Sequence, residues 1–333
     1  MIMISIVIPI RNDIKAIDAL FLAITKQTLL PEQVVLVDSS EDITPPSERL
    51  KALLADRNIN LDYIQLSGQM MPGAARNLGV SRASGDLIAF LDAKTIPGND
   101  WLKQCTAVME STGAQIVWGS IIYSANGAFK ELLIHATYGP SALYTLPGSL
   151  IKKSVFRLTG GFIGRIRAGE DTDWMLRARL HGVRVAIVNK STLTYIGLQD
   201  ISYLSILKKW HRNYRVSIEL PHLIEHRLIY FATFFLSVLF IALNWNSFFT
   251  NWNTNNILYI PNITKFTLLC FFVIYILVRG FYLPLKKGGL LKYLLPFRWI
   301  LIALISIPLD FSKISAFLFI VPAYIRSRIY KSN

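Results

Sequence analysis

The sequence predicts an α/β domain with a mostly parallel sheet, followed by a membrane domain. In the first half of the chain, short apolar runs alternate with helical patterns, which is typical of a parallel sheet with helices on both faces. Further on, the stretch from Leu228 to Thr264 contains no Lys, Arg, Asp or Glu, and this is too long for a buried helix of a soluble protein. We therefore expect a soluble domain at 1–200, an interfacial helical region at 201–227 and a membrane domain at 228–333.

The elements of the soluble domain follow from apolar runs and helical periodicity. Strands are predicted at 4–10, 34–38, 61–66, 86–91 and 116–121. Helices are predicted near 15–26, 46–56, 73–83 and 99–111. The apolar start MIMISIVIPI lacks a basic region and a small-residue cleavage site, so we interpret it as a buried strand rather than a signal peptide.

The net charge of +14 is distributed unevenly along the chain. Residues 1–149 carry a balance of −3, residues 150–227 carry +8 and residues 228–333 carry +9. A nucleic-acid-binding protein is expected to carry its positive charge on the folded domain, so this distribution argues against nucleic acid as a partner. Basic residues beside and within apolar segments instead favour anionic lipid headgroups or a lipid phosphate. The two cysteines are too few for a disulfide framework or a Cys/His zinc motif.

A helix predicted over 203–218 carries an aromatic stripe on one side and basic residues on the other. The stripe comprises Tyr203, Leu207, Trp210, Tyr214 and Ile218. The opposite side carries Lys208, Lys209, Arg212 and Arg215. This pattern is typical of a helix in the bilayer interface, although a helix packed on the soluble domain with a solvated basic face has the same pattern. Because an apolar segment follows within a few residues, we favour the interfacial position.

Two segments are long and apolar enough to cross a membrane, at about 228–249 and 266–285. Three lysines follow the second segment and one basic residue lies between the two, so the positive-inside rule places the soluble domain on the cytoplasmic side of the cell inner (plasma) membrane. The last apolar stretch, 294–325, is interrupted by Pro308, Asp310 and Lys313. Because both of its flanks are basic, we expect a re-entrant or in-plane helical pair there.

Four segments of the soluble domain carry polar residues where predicted strands end or a helix begins. They read ISIVIPIRND, VVLVDSSED, PGAARNLGVSRASGDLIAFLDA and TGGFIGRIRAGEDTDWMLRARLHG. In this order and at these spacings they resemble the inverting family-2 glycosyltransferases, over roughly residues 4–195. The resemblance implies a GT-A nucleotide-sugar-binding fold, with a UDP- or GDP-sugar as the donor.

On this resemblance the nucleotide-sugar is bound where the first strands end. Asp38 ends the second strand, where its carboxylate can accept hydrogen bonds from a base or ribose, or can simply cap a turn with the two serines that follow it. Pro9 and Arg11 lie on the first strand-to-helix turn, beside the same cleft. Arg76 resembles the family position near the nucleotide and would otherwise be a surface salt-bridge residue.

Asp92 occupies the first acidic place of the family's Asp-X-Asp element, which holds a divalent metal such as Mg²⁺ or Mn²⁺ on the donor diphosphate. Hard cations need several oxygen ligands, and here the second acidic place is taken by Lys94. Three interpretations are open: Lys94 replaces the metal as a cation beside the leaving group, Asp92 and water hold a weakened metal site, or the site is inactive. We favour the first, with no cofactor or only a weakly bound divalent metal.

Glu170 and Asp171 resemble the acidic pair of the family at the start of a helix. The resemblance makes Asp171 the general base that takes the proton of an acceptor hydroxyl, with Glu170 as the alternative. Acidic residues are also favourable at a helix N-terminus without any catalytic role. The Gln/Arg-X-X-Arg-Trp element of processive members is missing, which argues against a polymerising synthase.

These features predict a membrane-anchored enzyme of polysaccharide or glycolipid biosynthesis. It would transfer one sugar from a nucleotide-sugar to a hydroxyl of a lipid-linked acceptor on the cytoplasmic face. The nearest alternative is a polyprenyl-phosphate glycosyltransferase, but a phosphate acceptor is already ionised at pH 7 and requires no general base. A second alternative is a catalytically silent membrane scaffold or sugar-nucleotide sensor, supported only by Lys94.

Overall fold

The computed structural model describes residues 3–42, 45–188, 193–216, 220, 237 and 263–329. The chain forms two compact units. Unit 1 comprises Met1–Gly127 and Ser141–Ser202, and unit 2 comprises Ala128–Pro140 and Tyr203–Asn333. This division ends unit 1 within two residues of the boundary expected at 200. It differs in assigning Ala128–Pro140 to the second unit and in joining the region 201–227 almost entirely to that unit.

Unit 1 is built on a mixed sheet. Its described strands are β1 (Ile4–Ile10), β2 (Gln33–Asp38), β3 (Asn60–Gln65), β4 (Leu87–Phe90), β5 (Thr95–Pro97), β6 (Ile116–Tyr123), β7 (Leu143–Lys152), β8 (Val185–Ile187) and β9 (Leu193–Tyr195). The spatial order is β3-β2-β1-β4-β7-β6-β9-β5, and β8 also pairs with β6. The first four strands in this order are parallel, whereas β7 runs antiparallel to both β4 and β6.

The helices of unit 1 cover both faces of this sheet. They are α1 (Ile14–Thr25), α2 (Glu48–Ala55), α3 (Pro72–Arg82), α4 (Trp101–Thr112), α6 (Ser154–Thr159) and α7 (Glu170–Leu180), while α5 (Ala128–Ala136) belongs to unit 2. Side chains along a strand alternate between the two faces. Ile6 of β1 therefore joins a buried cluster with Phe21 and Trp101, and its neighbour Val7 joins a second cluster with Ala75 and Trp174.

The register of the parallel strands brings the predicted site segments to one edge of the sheet. Ile10, the last residue of β1, pairs with Asp38, the last residue of β2. On the other side of β1, Val7 pairs with Phe90 at the end of β4. The carboxyl ends of parallel strands are the usual place for ligands in α/β folds, so the loops after β1, β2 and β4 form the candidate site.

Unit 2 is helical in the residues that the structure describes. It contains α5, α8 (Tyr203–Val216), α9 (Ile263–Ile276), a π-helical segment (Leu277–Tyr282), α10 (Leu283–Lys286), α11 (Leu291–Leu294) and α12 (Arg298–Ile329). Two stretches, Leu269–Lys286 and Arg298–Ala316, are long and apolar enough to cross a membrane. The first agrees with the span predicted at 266–285. The span predicted at 228–249 lies outside the described residues, apart from Ser237.

The helical pair predicted at 294–325 is wrong, because α12 is one helix from Arg298 to Ile329. Proline inside a helix removes one N–H donor and leaves carbonyls of the preceding turn without a partner. Here the carbonyl that loses its donor is that of Leu304, and the adjacent carbonyl of Ile305 accepts a hydrogen bond from the Tyr203 hydroxyl at 2.6 Å. The charges that suggested a break are paired within the helix, since Lys313 Nζ lies 2.9 Å from Asp310 Oδ1.

The predicted amphipathic helix is present as α8, and its aromatic stripe contacts α12. The ammonium of Lys313 lies 4.7 Å from the ring centroid of Trp210 and 5.8 Å from that of Tyr214. The carbonyl of Leu207 accepts a hydrogen bond from the Ser312 hydroxyl at 2.7 Å. Tyr203, Trp210 and Tyr214 of the stripe thus contact α12 through their side chains. The location of α8 at a bilayer interface stays a prediction.

Candidate active site

Asp38 is buried at the end of β2, where it organises the loop that follows. Its Oδ1 accepts a hydrogen bond from the Ser40 N–H at 2.9 Å, and its Oδ2 accepts one from the Tyr63 hydroxyl at 3.1 Å. Burial, together with the hydrogen bond and charge of Asp38, raises the pKa of Tyr63 to about 12. The turn-capping role considered for Asp38 is therefore present in the structure. Tyr63 is a partner that the sequence pattern did not reveal.

Arg11 connects the loops after β1 and β2 and lies two residues beyond Pro9 of β1. Its Nη2 is 2.8 Å from Glu41 Oε1. With the amide oxygen of Gln69 oriented toward the guanidinium groups, that oxygen accepts from Arg11 Nη1 at 2.5 Å and from Arg167 Nη1 at 2.9 Å. Two guanidinium groups thus converge on one exposed side chain, in an arrangement suited to an anionic ligand.

Arg76 of α3 joins two of the predicted acidic residues. Its Nη1 is 2.6 Å from Glu170 Oε1 and its Nη2 is 3.1 Å from Asp92 Oδ1. The side chains of Arg76 and Glu170 are only 6% and 5% exposed. Burial acts to lower the pKa of Arg76, but the charges of Asp92 and Glu170 outweigh it and raise that pKa. Arg76 therefore stays charged and ties the start of α7 to the loop after β4.

Close packing between α3 and the loop before α7 holds this arrangement. A Cβ on Gly73 would overlap the carbonyl oxygen of Ile163. The Asn77 side chain exchanges two hydrogen bonds with the backbone of Phe162: Nδ2 donates to the carbonyl at 2.8 Å, and Oδ1 accepts from the N–H at 2.8 Å. Glycine at position 73 and asparagine at position 77 therefore fix the loop that leads into α7.

Asp171 and Glu170 have different environments although they are adjacent in α7. Asp171 is half-buried, and its Oδ1 accepts hydrogen bonds from the N–H and the hydroxyl of Thr172 at 2.7 and 3.3 Å. Glu170 is buried against Arg76; burial raises the pKa of its carboxyl, and the Arg76 charge opposes that shift. A general base must reach the acceptor hydroxyl. The accessible Asp171 is therefore better suited to that role than Glu170.

Lys94 lies between β4 and β5 and forms an ion pair that the sequence did not suggest. Its Nζ is 2.5 Å from Oδ1 of Asp13, which precedes α1. The two side chains are 39% and 38% exposed. An ion pair exposed to this degree typically contributes only about 0–1 kcal/mol to stability. The ammonium can therefore exchange the Asp13 carboxylate for a phosphate oxygen at small energetic cost.

The residues at this edge of the sheet do not fit a divalent metal held by the protein. Asp92 already pairs with Arg76, and the position two residues further carries the ammonium of Lys94. Within the described parts of the chain, no three His, Cys, Asp or Glu side chains lie close enough together to share a metal ion. Hard cations require several oxygen ligands, whereas the groups flanking Asp92 are cations.

Comparisons with known proteins now decide the family. A family model described as glycosyl transferase family 2 matches residues 5–171, which is half of the chain. The chain belongs to glycosyl transferase family 2. Both the predicted class of enzyme, a glycosyltransferase, and the predicted GT-A type of α/β fold are thereby confirmed. The roles of the individual site residues stay predictions.

The individual relatives and solved structures described below are 17–26% identical to the chain. The chain is 26% identical to the glycosyltransferase AglE of Haloferax volcanii over 187 residues, and this alignment covers 53% of this chain and 60% of AglE. It is 26% identical over 255 residues to YwdF of Bacillus subtilis, described as an uncharacterized glycosyltransferase, over 66% of this chain and 91% of YwdF. Among solved structures, TarS 1–349 of S. aureus is 17% identical with a TM-score of 0.46, over 98% of this chain and 92% of TarS 1–349. The chain thus spans less than two thirds of AglE.

Replacing Arg76 with alanine is expected to destabilise unit 1 by about 3–5 kcal/mol, because it leaves the buried Glu170 carboxylate without its partner. Arg82 lies on the same helix and pairs with Asp62 at 3.3 Å, but its side chain is 58% exposed. The matched variant Arg82→Ala should therefore cost about 0–1 kcal/mol. Denaturant unfolding of both variants tests this expectation. Equal losses of stability would contradict the buried bridge.

Proposed function

We propose that this enzyme transfers one sugar from a UDP- or GDP-sugar to a hydroxyl group of a lipid-linked acceptor, with inversion at the anomeric carbon. The observation that carries the proposal is the separation of the two acidic residues at the start of α7. Glu170 is buried in an ion pair with Arg76, and Asp171 remains accessible. A phosphate acceptor needs no base, so an accessible carboxylate held in place by a buried bridge favours a hydroxyl acceptor.

In the proposed reaction the acceptor oxygen attacks the anomeric carbon while Asp171 takes its proton. The bond from that carbon to the β-phosphate oxygen breaks, and the nucleoside diphosphate leaves with the bonding electron pair. The ammonium of Lys94 would stabilise the charge that develops on the diphosphate. The loops after β1 and β2, with Pro9, Arg11 and Asp38, would hold the nucleoside. Arg76 would fix the position of Asp92 relative to α7.

Transfer to a lipid-linked acceptor is tested by incubating the full chain with labelled UDP- and GDP-sugars and a lipid extract. Label should enter the lipid fraction. Mild acid cleaves a sugar–phosphate bond more readily than a bond between sugars. Label that remains with the lipid, or is released as a disaccharide or larger, supports a hydroxyl acceptor. Release of labelled monosaccharide alone would indicate a phosphate acceptor and contradict the proposal.

A cytoplasmic catalytic domain anchored in the inner membrane completes the proposal. It is supported by the two apolar stretches of unit 2 and by the charge of +9 over residues 228–333, which is typical of cytoplasm-facing flanks. We expect the full chain to stay in the membrane fraction after high salt and carbonate, and to be released only by detergent. Release by high salt alone would indicate peripheral attachment, and recovery without detergent would contradict membrane anchoring.

A further inference from the structure

Unit 2 contains a cluster of charged side chains within its two apolar stretches. The centre is Asp310 of α12, whose carboxylate accepts hydrogen bonds from Tyr275 at 3.1 Å, from Arg279 Nη2 at 3.1 Å and from Lys313 Nζ at 2.9 Å. The side chains of Arg279, Asp310 and Lys313 are at most a quarter exposed. Ionisable residues in such helices are costly to bury, and they usually mark a binding or transport function.

The cluster carries more positive than negative charge. Asp310 is the only acidic residue from position 228 to position 333, and it is shared by Arg279 and Lys313. A third cation, Lys287, donates to the carbonyl of Thr137, just beyond the end of α5. Burial lowers the pKa of Lys287 to about 8, and the charges of Arg279 and Lys313 act in the same direction. The three cations and one carboxylate interact electrostatically, and their net positive charge would stabilise a further anion there.

The surrounding structure holds these cations in defined positions. Lys313 lies against the ring faces of Trp210 and Tyr214 in α8, a favourable arrangement for an ammonium group. Arg279 lies in the π-helical segment, and π-helical turns occur frequently at functional sites. The neighbouring Gly280 has no room for a Cβ, because it would overlap the carbonyl of Trp299 in α12. Close contact with α12 therefore presents Arg279 directly to Asp310.

We propose that Arg279, Lys287 and Lys313 together bind the phosphate of a lipid headgroup. Guanidinium and ammonium donors suit phosphate oxygens, and the exposed apolar residues of the same helices, such as Leu277 and Phe311, suit the attached hydrocarbon chain. Asp310 pairs with Arg279 and Lys313 when no phosphate is bound. The inference rests on the proposed function in that the bound phosphate would belong to the lipid-linked acceptor.

The test uses the full chain in neutral detergent, with dioctanoyl phosphatidic acid as the probe and binding measured by tryptophan fluorescence. Lys287→Gln should weaken binding about tenfold or more, since a hydrogen bond to a charged group typically contributes that much. Lys286→Gln is the matched control: it removes the same charge from the adjacent, exposed position and should change binding by no more than about twofold. Lys313→Gln, which leaves Asp310 paired with Arg279, should also weaken binding. Thermal unfolding shows whether each variant is folded.

Inorganic phosphate distinguishes a lipid from a free phosphate. If the site binds a lipid phosphate, inorganic phosphate should bind far more weakly than dioctanoyl phosphatidic acid. Equal affinity for the two would overturn the lipid assignment. Absence of probe binding, or equal losses in Lys286→Gln and Lys287→Gln, would also overturn the inference. Binding of the probe requires no donor and no turnover. Transfer to a lipid acceptor without specific probe binding would therefore overturn this inference alone, and specific binding without transfer would overturn the proposed function alone.

Discussion

Replacing Lys94 with alanine is expected to lower the rate of sugar transfer by two or more orders of magnitude. A cation about 4 Å from a phosphate oxygen interacts with it by about 4 kcal/mol at an effective dielectric constant near 20. Loss of one group that stabilises developing charge typically lowers kcat by about 10²–10³. Release of the nucleoside diphosphate by the full chain, at saturating donor and acceptor, measures this loss. Added magnesium should not restore the rate of Lys94→Ala.

Two further variants separate the charge of Lys94 from its ion pair. Asp13→Asn removes the partner of Lys94 but keeps the ammonium, and its rate should stay within about fivefold of the native rate because the pair is partly exposed. Lys94→Asp restores an Asp-X-Asp pair with Asp92, and activity recovered in that variant should depend on added manganese or magnesium. A nearly native rate in Lys94→Ala would contradict the role assigned to this ammonium.

Replacing Asp171 with asparagine is expected to lower turnover by about a hundredfold or more, while donor binding stays nearly intact. Asparagine keeps the shape of the side chain and an oxygen that can accept from Thr172, but it cannot take the acceptor proton. General base catalysis typically contributes about 10²–10⁴ in rate. A fall in kcat without a matching rise in the donor dissociation constant, measured by calorimetry with the UDP- or GDP-sugar in the absence of acceptor, would identify a chemical role.

Glu170→Gln is the comparison variant for Asp171→Asn. Because Glu170 is buried against Arg76, its replacement should lower thermal stability, whereas Asp171→Asn should leave stability nearly unchanged. If Asp171→Asn keeps normal turnover and folded Glu170→Gln has none, the general base is Glu170 rather than Asp171. Normal turnover in both would contradict base catalysis and favour a phosphate acceptor.

The strands β1–β4 and β6 and the helices α1–α4 were predictable to within two residues at each end. Each has an apolar run or a helical periodicity of its own, so local pattern was sufficient. The strands β5, β8 and β9 have three residues each, which is too short for a pattern. Strand β7 includes Pro147 and Gly148, which usually argue against a strand. The Pro147-Gly148 pair is accommodated because the register of the β6–β7 pairing shifts between Val117 and Gly119.

The residues of the candidate site were proposed from the sequence, but their pairings were not. Motif spacing identified Asp92, Arg76 and Glu170 separately. The bridge between Arg76 and Glu170 joins positions 94 residues apart, and it depends on how α3 packs against the loop before α7. For the same reason nothing in the sequence placed Asp13 beside Lys94. Both pairings arise from tertiary packing, which local periodicity does not encode.

We propose that Lys94 takes the place of a metal ion in this family-2 enzyme. The most direct measurement is the rate of sugar transfer by the native full chain before and after treatment with excess EDTA. We predict that the rate persists in EDTA and does not rise when magnesium or manganese is added back. Loss of all activity in EDTA, with recovery on addition of either metal, would show that Asp92 holds a metal ion and that Lys94 does not replace it.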